Sequence, residues 1–243
     1  KRGDKLAKAF ESGDCDSLSD MGLRYDLTLP LSRYYANNKS ELILPFKTIQ
    51  IDRVYRAERP QKGRLREFVQ CDIDIIGSES ANCEIELIYT TAKALLAINI
   101  GSFKIRVNDR RVLKAVLKSM GFENDALDSV CIVFDKLDKI GSDGVCAELT
   151  EKGFDDTAIR KFAELISRDS ITFEDIEAVV DEDSMEYIDR LKNIIEKSAR
   201  IADGKYEVEF DISLVRGQGY YTGTIFEVES TKFRGAVAGG GRY

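Results

Sequence analysis

The stretch that most limits what this chain can become runs from Phe46 to Ile76. Its first arm, Phe46 to Tyr55, is rich in Ile, Val and Phe and partly alternates; its second, Glu67 to Ile76, places Phe68, Gln70, Asp72 and Asp74 on one face. A period of two marks a strand, and two such arms joined by a turn close as an antiparallel hairpin. The joining loop is basic. Between Arg53 and Arg66 stand six Lys or Arg (Arg53, Arg56, Arg59, Lys62, Arg64, Arg66) against one acid, Glu58, and Pro60 and Gly63 hold the turn open. Composition alone allows an edge hairpin with a solvated tip. Against that, Gln70 and Asp74 share a face with Phe68, and Arg56 sits where the first arm ends. Strands ordinarily turn apolar groups inward, so this hairpin is expected to carry a polar pocket, with enough cation beside it for a multiply charged anion.

Histidine is absent from all 243 residues. A histidine general base, a Ser-His-Asp triad and a histidine-ligated metal are therefore excluded, and no metal ligands are assigned. Chemistry here has to rest on arginine, carboxylates, tyrosine and main chain. Five cysteines, Cys15, Cys71, Cys83, Cys131 and Cys146, are odd in number, scattered and never spaced as CxxC. With no secretory leader evident, they are expected as small core side chains in a reducing, cytoplasmic setting. No apolar run approaches the length of a membrane span. The net charge of −7 is not that of a dedicated nucleic-acid binder, but it conceals a step. Residues 121–203 hold 22 acids against 10 bases, a net −12 that leaves +5 for the remainder and marks a separate module in the middle.

A chain of this length buries a substantial core in one large or two modest domains. It opens with a short helix within Lys1 to Asp20, with Leu6, Ala7, Ala9 and Phe10 on one side. From Leu23 a strand is expected to pass through a turn at Pro30 into a helix carrying Leu31, Tyr34 and Tyr35. Beyond the hairpin, Ser78 to Ile100 sets Ile85, Leu87, Ile88, Ala92, Leu95 and Leu96 at helical spacing. Phe103 to Val107 alternates as a strand, and Asp109 then caps a helix with Val112, Leu113, Val116 and Leu117 inward and Gly121 as its stop. The acidic middle predicts helices over 125–140, 143–152, 156–167 and 183–200, with no strand between Gly121 and Asp203. Its acids, Asp181-Glu182-Asp183 included, read as solvated helix faces and caps. Strands resume at Tyr206 to Ile212 and Ile225 to Glu229, and Gly235 to Tyr243 is a small-residue strand running into a glycine loop.

Three groups of residues carry a resemblance. Arg56-Ala57-Glu58, the loop with Arg64, and Phe68, Gln70 and Asp74 resemble motif 2 of the class II aminoacyl-tRNA synthetases, with the closest fit in the histidyl-tRNA synthetase family. Arg24-Tyr25-Asp26-Leu27-Thr28 is similar to a segment with which that family holds the amino acid's ammonium group. Arg216-Gly217-Gln218-Gly219-Tyr220-Tyr221 is similar to the family's Arg-Gly-Leu-Asp-Tyr-Tyr signature, with Gln218 and Gly219 in place of Leu and Asp. The closing Gly-Gly-Arg-Tyr is similar to the segment that precedes motif 3. The resemblance is strong up to about Gly121 and from Tyr206 onward, and weak across the acidic middle. Motif 1, motif 3 and an anticodon-binding domain have no counterpart in the sequence, so it reads as part of a longer protein.

The resemblance implies ATP-dependent activation of L-histidine to its adenylate, followed by transfer to histidine tRNA. Two negative groups must meet in such a reaction, and preorganised cations in a dry site answer that need without a proton-transferring histidine. By the resemblance, Arg56 and Arg216 are the catalytic pair, gripping the amino acid's carboxylate and the α-phosphate from opposite sides. It further implies that Glu58 accepts from the adenine amino group, Phe68 stacks on the base and Arg64 holds the outer phosphates, with Mg2+ arriving on the ATP. Asp26, Thr28 and Gln70 would fix the amino end, and Asp74 and Tyr221, beside Tyr220, would meet the imidazole nitrogens. A carboxylate beside an ammonium is a charge-assisted pair.

The fold implied is α+β, a mostly antiparallel class II sheet flanked by helices, with 1–120 and 205–243 as catalytic core and 121–204 as an inserted all-helical domain. A cytoplasmic homodimer with no membrane partner goes with it. Two non-catalytic readings stand beside the ligase. One is the histidine-sensing regulatory subunit of ATP phosphoribosyltransferase, which tends to lose the arginines that Arg56 and Arg216 retain here. The other is an uncharged-tRNA-sensing domain of the kind fused to stress kinases.

Overall fold

The hairpin closes over the predicted residues: β1 (Phe46–Tyr55) pairs antiparallel with β2 (Glu67–Ile76), Phe46 opposite Ile76 and Tyr55 opposite Glu67. The computed structural model describes residues 2–13, 18–19, 21–59, 63–168, 170–216, 220–233 and 235–243; Cys15, Pro60, Lys62 and Gly217-Gln218-Gly219 lie outside the described residues. Two units emerge, Lys1–Ser78 and Glu79–Tyr243.

The first unit holds α1 (Arg2–Ser12), α2 (Thr28–Asn38) and the hairpin. Of the apolar side predicted for α1, Ala9 is buried while Leu6 and Phe10 stand exposed. The strand expected from Leu23 does not form. A single backbone hydrogen bond, Tyr55 N to Arg24 O at 2.9 Å, ties that segment to the end of β1, and the helix begins at Thr28, before Pro30. Proline is tolerated there because the N–H groups of a first helical turn have no intrahelical partner anyway. On the hairpin the usual rule is inverted. Alternation sets Thr48, Gln50, Phe68, Gln70, Asp72 and Asp74 on the covered face and turns Ile49, Ile51 and Val69 outward, each more than 60% exposed.

The second unit is a four-stranded sheet in the order β4-β3-β5-β6, built from β3 (Phe103–Asp109), β4 (Glu207–Phe210), β5 (Thr224–Ser230) and β6 (Ala236–Gly241). β3 and β4 run parallel, and the other two pairings are antiparallel. Parallel neighbours need a long crossover, which the helical middle supplies. Ahead of β3 lies α3 (Asn82–Ala97); after it come α4 (Arg110–Met120), α5 (Leu127–Phe134), α6 (Leu137–Glu151), α7 (Asp156–Ile166), α8 (Phe173–Glu177) and α9 (Met185–Ala202). Antiparallel pairing dominates as expected, but the hairpin forms a sheet of its own instead of joining the other strands.

Local signals explain the helix ends. Asp109 accepts from Arg111 N at 2.9 Å as the cap of α4, and Gly121 closes that helix in the left-handed region. The single helix expected over 125–140 divides at Asp135-Lys136, and Gly141, at φ 70°, kinks α6. The short α8 was not predicted, although Thr172 and Asp175 form a reciprocal capping box that is legible as Thr-x-x-Asp. No strand interrupts the described residues between 121 and 204. Their apolar faces nonetheless share one buried cluster with the sheet, Phe134, Phe162 and Ile194 alongside Ile105, Val107 and Val228. Packing places the boundary between the two units after Ser78. Among the described residues no helix is long and apolar enough to cross a membrane.

Candidate functional site

In the first unit the covered face of the hairpin is polar, and Arg56 stands at its end. Immediately after β1, its guanidinium lies over two rings, 4.5 Å from the centroid of Tyr25 and 5.1 Å from that of Phe68, and its Nε donates to Tyr25 O at 3.4 Å. A planar cation between aromatic faces keeps its orientation while its remaining N–H groups point elsewhere. Asp26 is buried and accepts from Leu29 N at 3.3 Å, which fixes it at the start of α2, where Thr28 is the first residue. Asp74, also buried, accepts from Gln50 Nε2 at 3.4 Å. Gln70 donates to Asp72 at 2.7 Å, and its Oε1 is buried with no partner. An unpaired acceptor next to buried carboxylates is a place for a cationic or N–H-bearing ligand.

Two further polar residues belong to this face. Gln50, opposite Asp72 in the register, reaches diagonally to Asp74. Asp72 has its pKa raised by burial, with the charges of Asp74 and Asp26 adding to the effect against the hydrogen bond from Gln70. Sequence reasoning set Asp72 on the right face without assigning it a role; Gln50 and Tyr25 were missed, although the period-two alternation offered a signal for Gln50. The described part of the basic loop is held by its own charges. Glu58 and Arg64, expected at opposite ends of a nucleotide, are exposed and pair with each other at 3.4 Å, while Arg66 Nε donates to Glu58 O at 3.2 Å.

The second unit presents the signature arginine. Arg216 adopts φ 60°, uncommon for a residue with a Cβ, and its Nη1 donates to Glu227 Oε2 at 2.8 Å. Burial works to lower its pKa, but the hydrogen bond it donates to Glu227, together with Tyr221, outweighs burial and raises it. Tyr220 and Tyr221 pack edge to face at 4.9 Å, with Tyr243 against Tyr220 at 6.2 Å. The closing glycines form part of β6 rather than a loop. They leave room: a Cβ at Gly241 would lie 2.8 Å from the Tyr221 ring, and one at Gly239 would lie 2.7 Å from Arg216 Nη1. The structure thus gathers Asp26, Arg56, Phe68, Gln70 and Asp74 in one unit and Arg216, Tyr220 and Tyr221 in the other.

A family model described as histidyl-tRNA synthetase matches residues 1–243. The chain belongs to the histidyl-tRNA synthetase family. A histidine–tRNA ligase from Leifsonia xyli subsp. xyli is 44% identical over 254 residues, covering 99% of this chain and 58% of that protein. One from Aeropyrum pernix is 43% identical over 228 residues, covering 91% and 51%. The crystal structure of histidyl-tRNA synthetase from Nostoc sp. PCC 7120 superposes with a TM-score of 0.77 at 27% identity, over 90% of this chain and 52% of that one. A Bacillus halodurans protein described as an ATP phosphoribosyltransferase regulatory subunit/histidyl-tRNA synthetase shares the fold, with a TM-score of 0.75 at 22% identity. The chain spans about half the length of the curated histidyl-tRNA synthetases it matches.

Proposed function

We propose that this chain carries the amino-acid-activating part of a histidine–tRNA ligase. A carboxylate oxygen of L-histidine would attack the α-phosphorus of ATP, the bond to pyrophosphate would break, and a tRNA hydroxyl would then take the histidyl group from the adenylate, releasing AMP. The observation that carries the reading is the Arg56 guanidinium held between Tyr25 and Phe68 beside Asp26, Gln70 and Asp74. A fixed cation next to buried carboxylate and amide groups suits a ligand that presents a carboxylate, an ammonium and ring N–H groups together. Arg56 would orient the histidine carboxylate and the α-phosphate, and Arg216 would neutralise charge that develops on the phosphoryl oxygens. Asp26, Thr28 and Gln70 would receive the ammonium; Asp74 and Tyr221, with Tyr220, would read the imidazole. For ATP, Phe68 would stack on the base, with Glu58 at its amino group and Arg64 on the outer phosphates once their mutual ion pair opens. Those groups are rings and cations apart from Glu58, so Mg2+ would be held chiefly by the nucleotide's own oxygens. Residues 1–120 and 205–243 would form the catalytic core, 121–204 a helical insertion, and the working protein a cytoplasmic homodimer.

Histidine-dependent exchange of pyrophosphate into ATP by the complete protein tests the reading, together with thermal unfolding of this chain in histidine, histidinol and other amino acids. Ligand at a hundredfold excess over its Kd adds about 2.7 kcal/mol of stability. A shift for histidine and histidinol with exchange present supports the ligase; a shift without exchange supports the histidine-sensing reading; no shift for any amino acid overturns the pocket. Arg216→Ala is expected to abolish exchange and leave histidine binding largely intact.

A further inference from the structure

Arg216 does not hold its position alone. Across the sheet, Arg106 on β3 stands opposite Glu227 on β5, and Glu227 stands opposite Gly239 on β6, so the three share one row. Glu227 uses both oxygens: Oε2 accepts from Arg216 Nη1 at 2.8 Å and Oε1 accepts from Arg106 Nη2 at 2.8 Å. Arg106 is anchored in turn by Asp211, at 3.0 Å from its Nη1. At the third place of the row there is no side chain. The Arg216 guanidinium occupies that gap, since a Cβ at Gly239 would come within 2.9 Å of Cζ as well as 2.7 Å of Nη1. Neighbours across a sheet face one another at roughly 5 Å, which suits an alternation of cation, anion and cation. Here the last cation arrives from a separate loop.

We propose that Glu227 is a positioning residue for Arg216, with Arg106 as its anchor and Gly239 as the vacancy that admits the guanidinium; this rests on the activation reading given above. The chain from Asp211 through Arg106 to Glu227 fixes where the guanidinium lies before any substrate arrives. A charge that must meet a developing phosphoryl charge does so best when no reorganisation is left for the reaction step. Removing Glu227's charge leaves Arg106 and Arg216 facing each other across a half-buried gap, and a methyl group at Gly239 displaces Arg216 with every charge retained.

The test compares Glu227→Gln, Gly239→Ala and Arg216→Ala in the complete protein by pyrophosphate exchange at saturating ATP and histidine. Misplacing a catalytic group by about 1 Å costs on the order of a hundredfold in rate. Both Glu227→Gln and Gly239→Ala are expected to lose kcat on that scale while KM for histidine stays near the parent's. Gly239→Ala carries the test should Glu227→Gln fail to fold. Parent-like kcat in a folded Glu227→Gln or Gly239→Ala protein, with Arg216→Ala inactive, overturns the positioning role and leaves the activation reading standing. A raised KM with kcat intact also overturns it, because that marks a structural part alone. Parent-like exchange in Arg216→Ala overturns the activation reading itself.

Discussion

Replacing Asp109 by alanine tests how much one buried carboxylate contributes to joining helix and sheet. Asp109 is fully buried at the end of β3. Its Oδ1 accepts from Arg111 N at 2.9 Å and from Arg111 Nε at 2.9 Å; its Oδ2 accepts from Arg111 Nη2 at 2.7 Å and from the Thr224 hydroxyl at 3.0 Å. Loss of the helix cap costs about 1 kcal/mol. The Thr224 hydroxyl, itself buried, loses its acceptor, which costs about 1–3 kcal/mol. The Arg111 side chain is 31% exposed, so water takes over part of the lost pairing, and that contribution is discounted to about 1 kcal/mol. The total is about 3–5 kcal/mol. At a urea m-value of about 3 kcal/mol per molar, the upper end of the usual range, the midpoint falls by roughly 1–1.7 M. Far-UV circular dichroism suits the assay because seven of the nine described α-helices lie in the second unit. Asp109→Asn, which retains an acceptor for the cap, is expected to fall between parent and alanine variant. A loss under about 1 kcal/mol for the alanine variant would mean that Asp109 acts as an ordinary exposed cap and that the Arg111–Thr224 network adds nothing.

Asp72 gives a pH prediction with a definite sign. Burial raises its folded-state pKa, so the ionised carboxylate costs stability at neutral pH, and the cost disappears as pH falls through that pKa. Asp72→Asn is therefore expected to melt higher than the parent at pH 7, with the gap closing toward about pH 4, near the ordinary carboxylate value; a gap that widens on acidification contradicts the assignment. Burial also pushes the Cys131 thiol up to about 11, whereas Cys71 is exposed. Iodoacetamide at pH 8 should label Cys71 within minutes and leave Cys131 unmodified until the fold opens, as peptide mapping by mass spectrometry would show. Early labelling of Cys131 would mean that its helix unfolds locally far more readily than its packing implies.

Much of the fold is legible because its signals are local. The ends of β1 and β2, the Asp109 cap, the Gly121 stop and the helices of the acidic middle follow from period and capping residues within a few positions of each other. Where reading failed, a neighbour distant in sequence decided. The Gly239-Gly240-Gly241 run is strand because Arg216, Phe226, Ile225 and Tyr221 lie against it.

The candidate site divides along the same line. The sequence by itself determined the polar face of Gln70, Asp72 and Asp74, through residue type and alternation, while Arg56 and Arg216 are marked by the resemblance to motif 2 and to the histidine signature. Tertiary structure alone decided how they are held. Tyr25 meets Arg56 from 31 positions away, and Glu227 joins Arg106 across 121. Alternation specifies which face a strand residue occupies, but cross-strand register specifies what it faces, and register is settled only when the core closes.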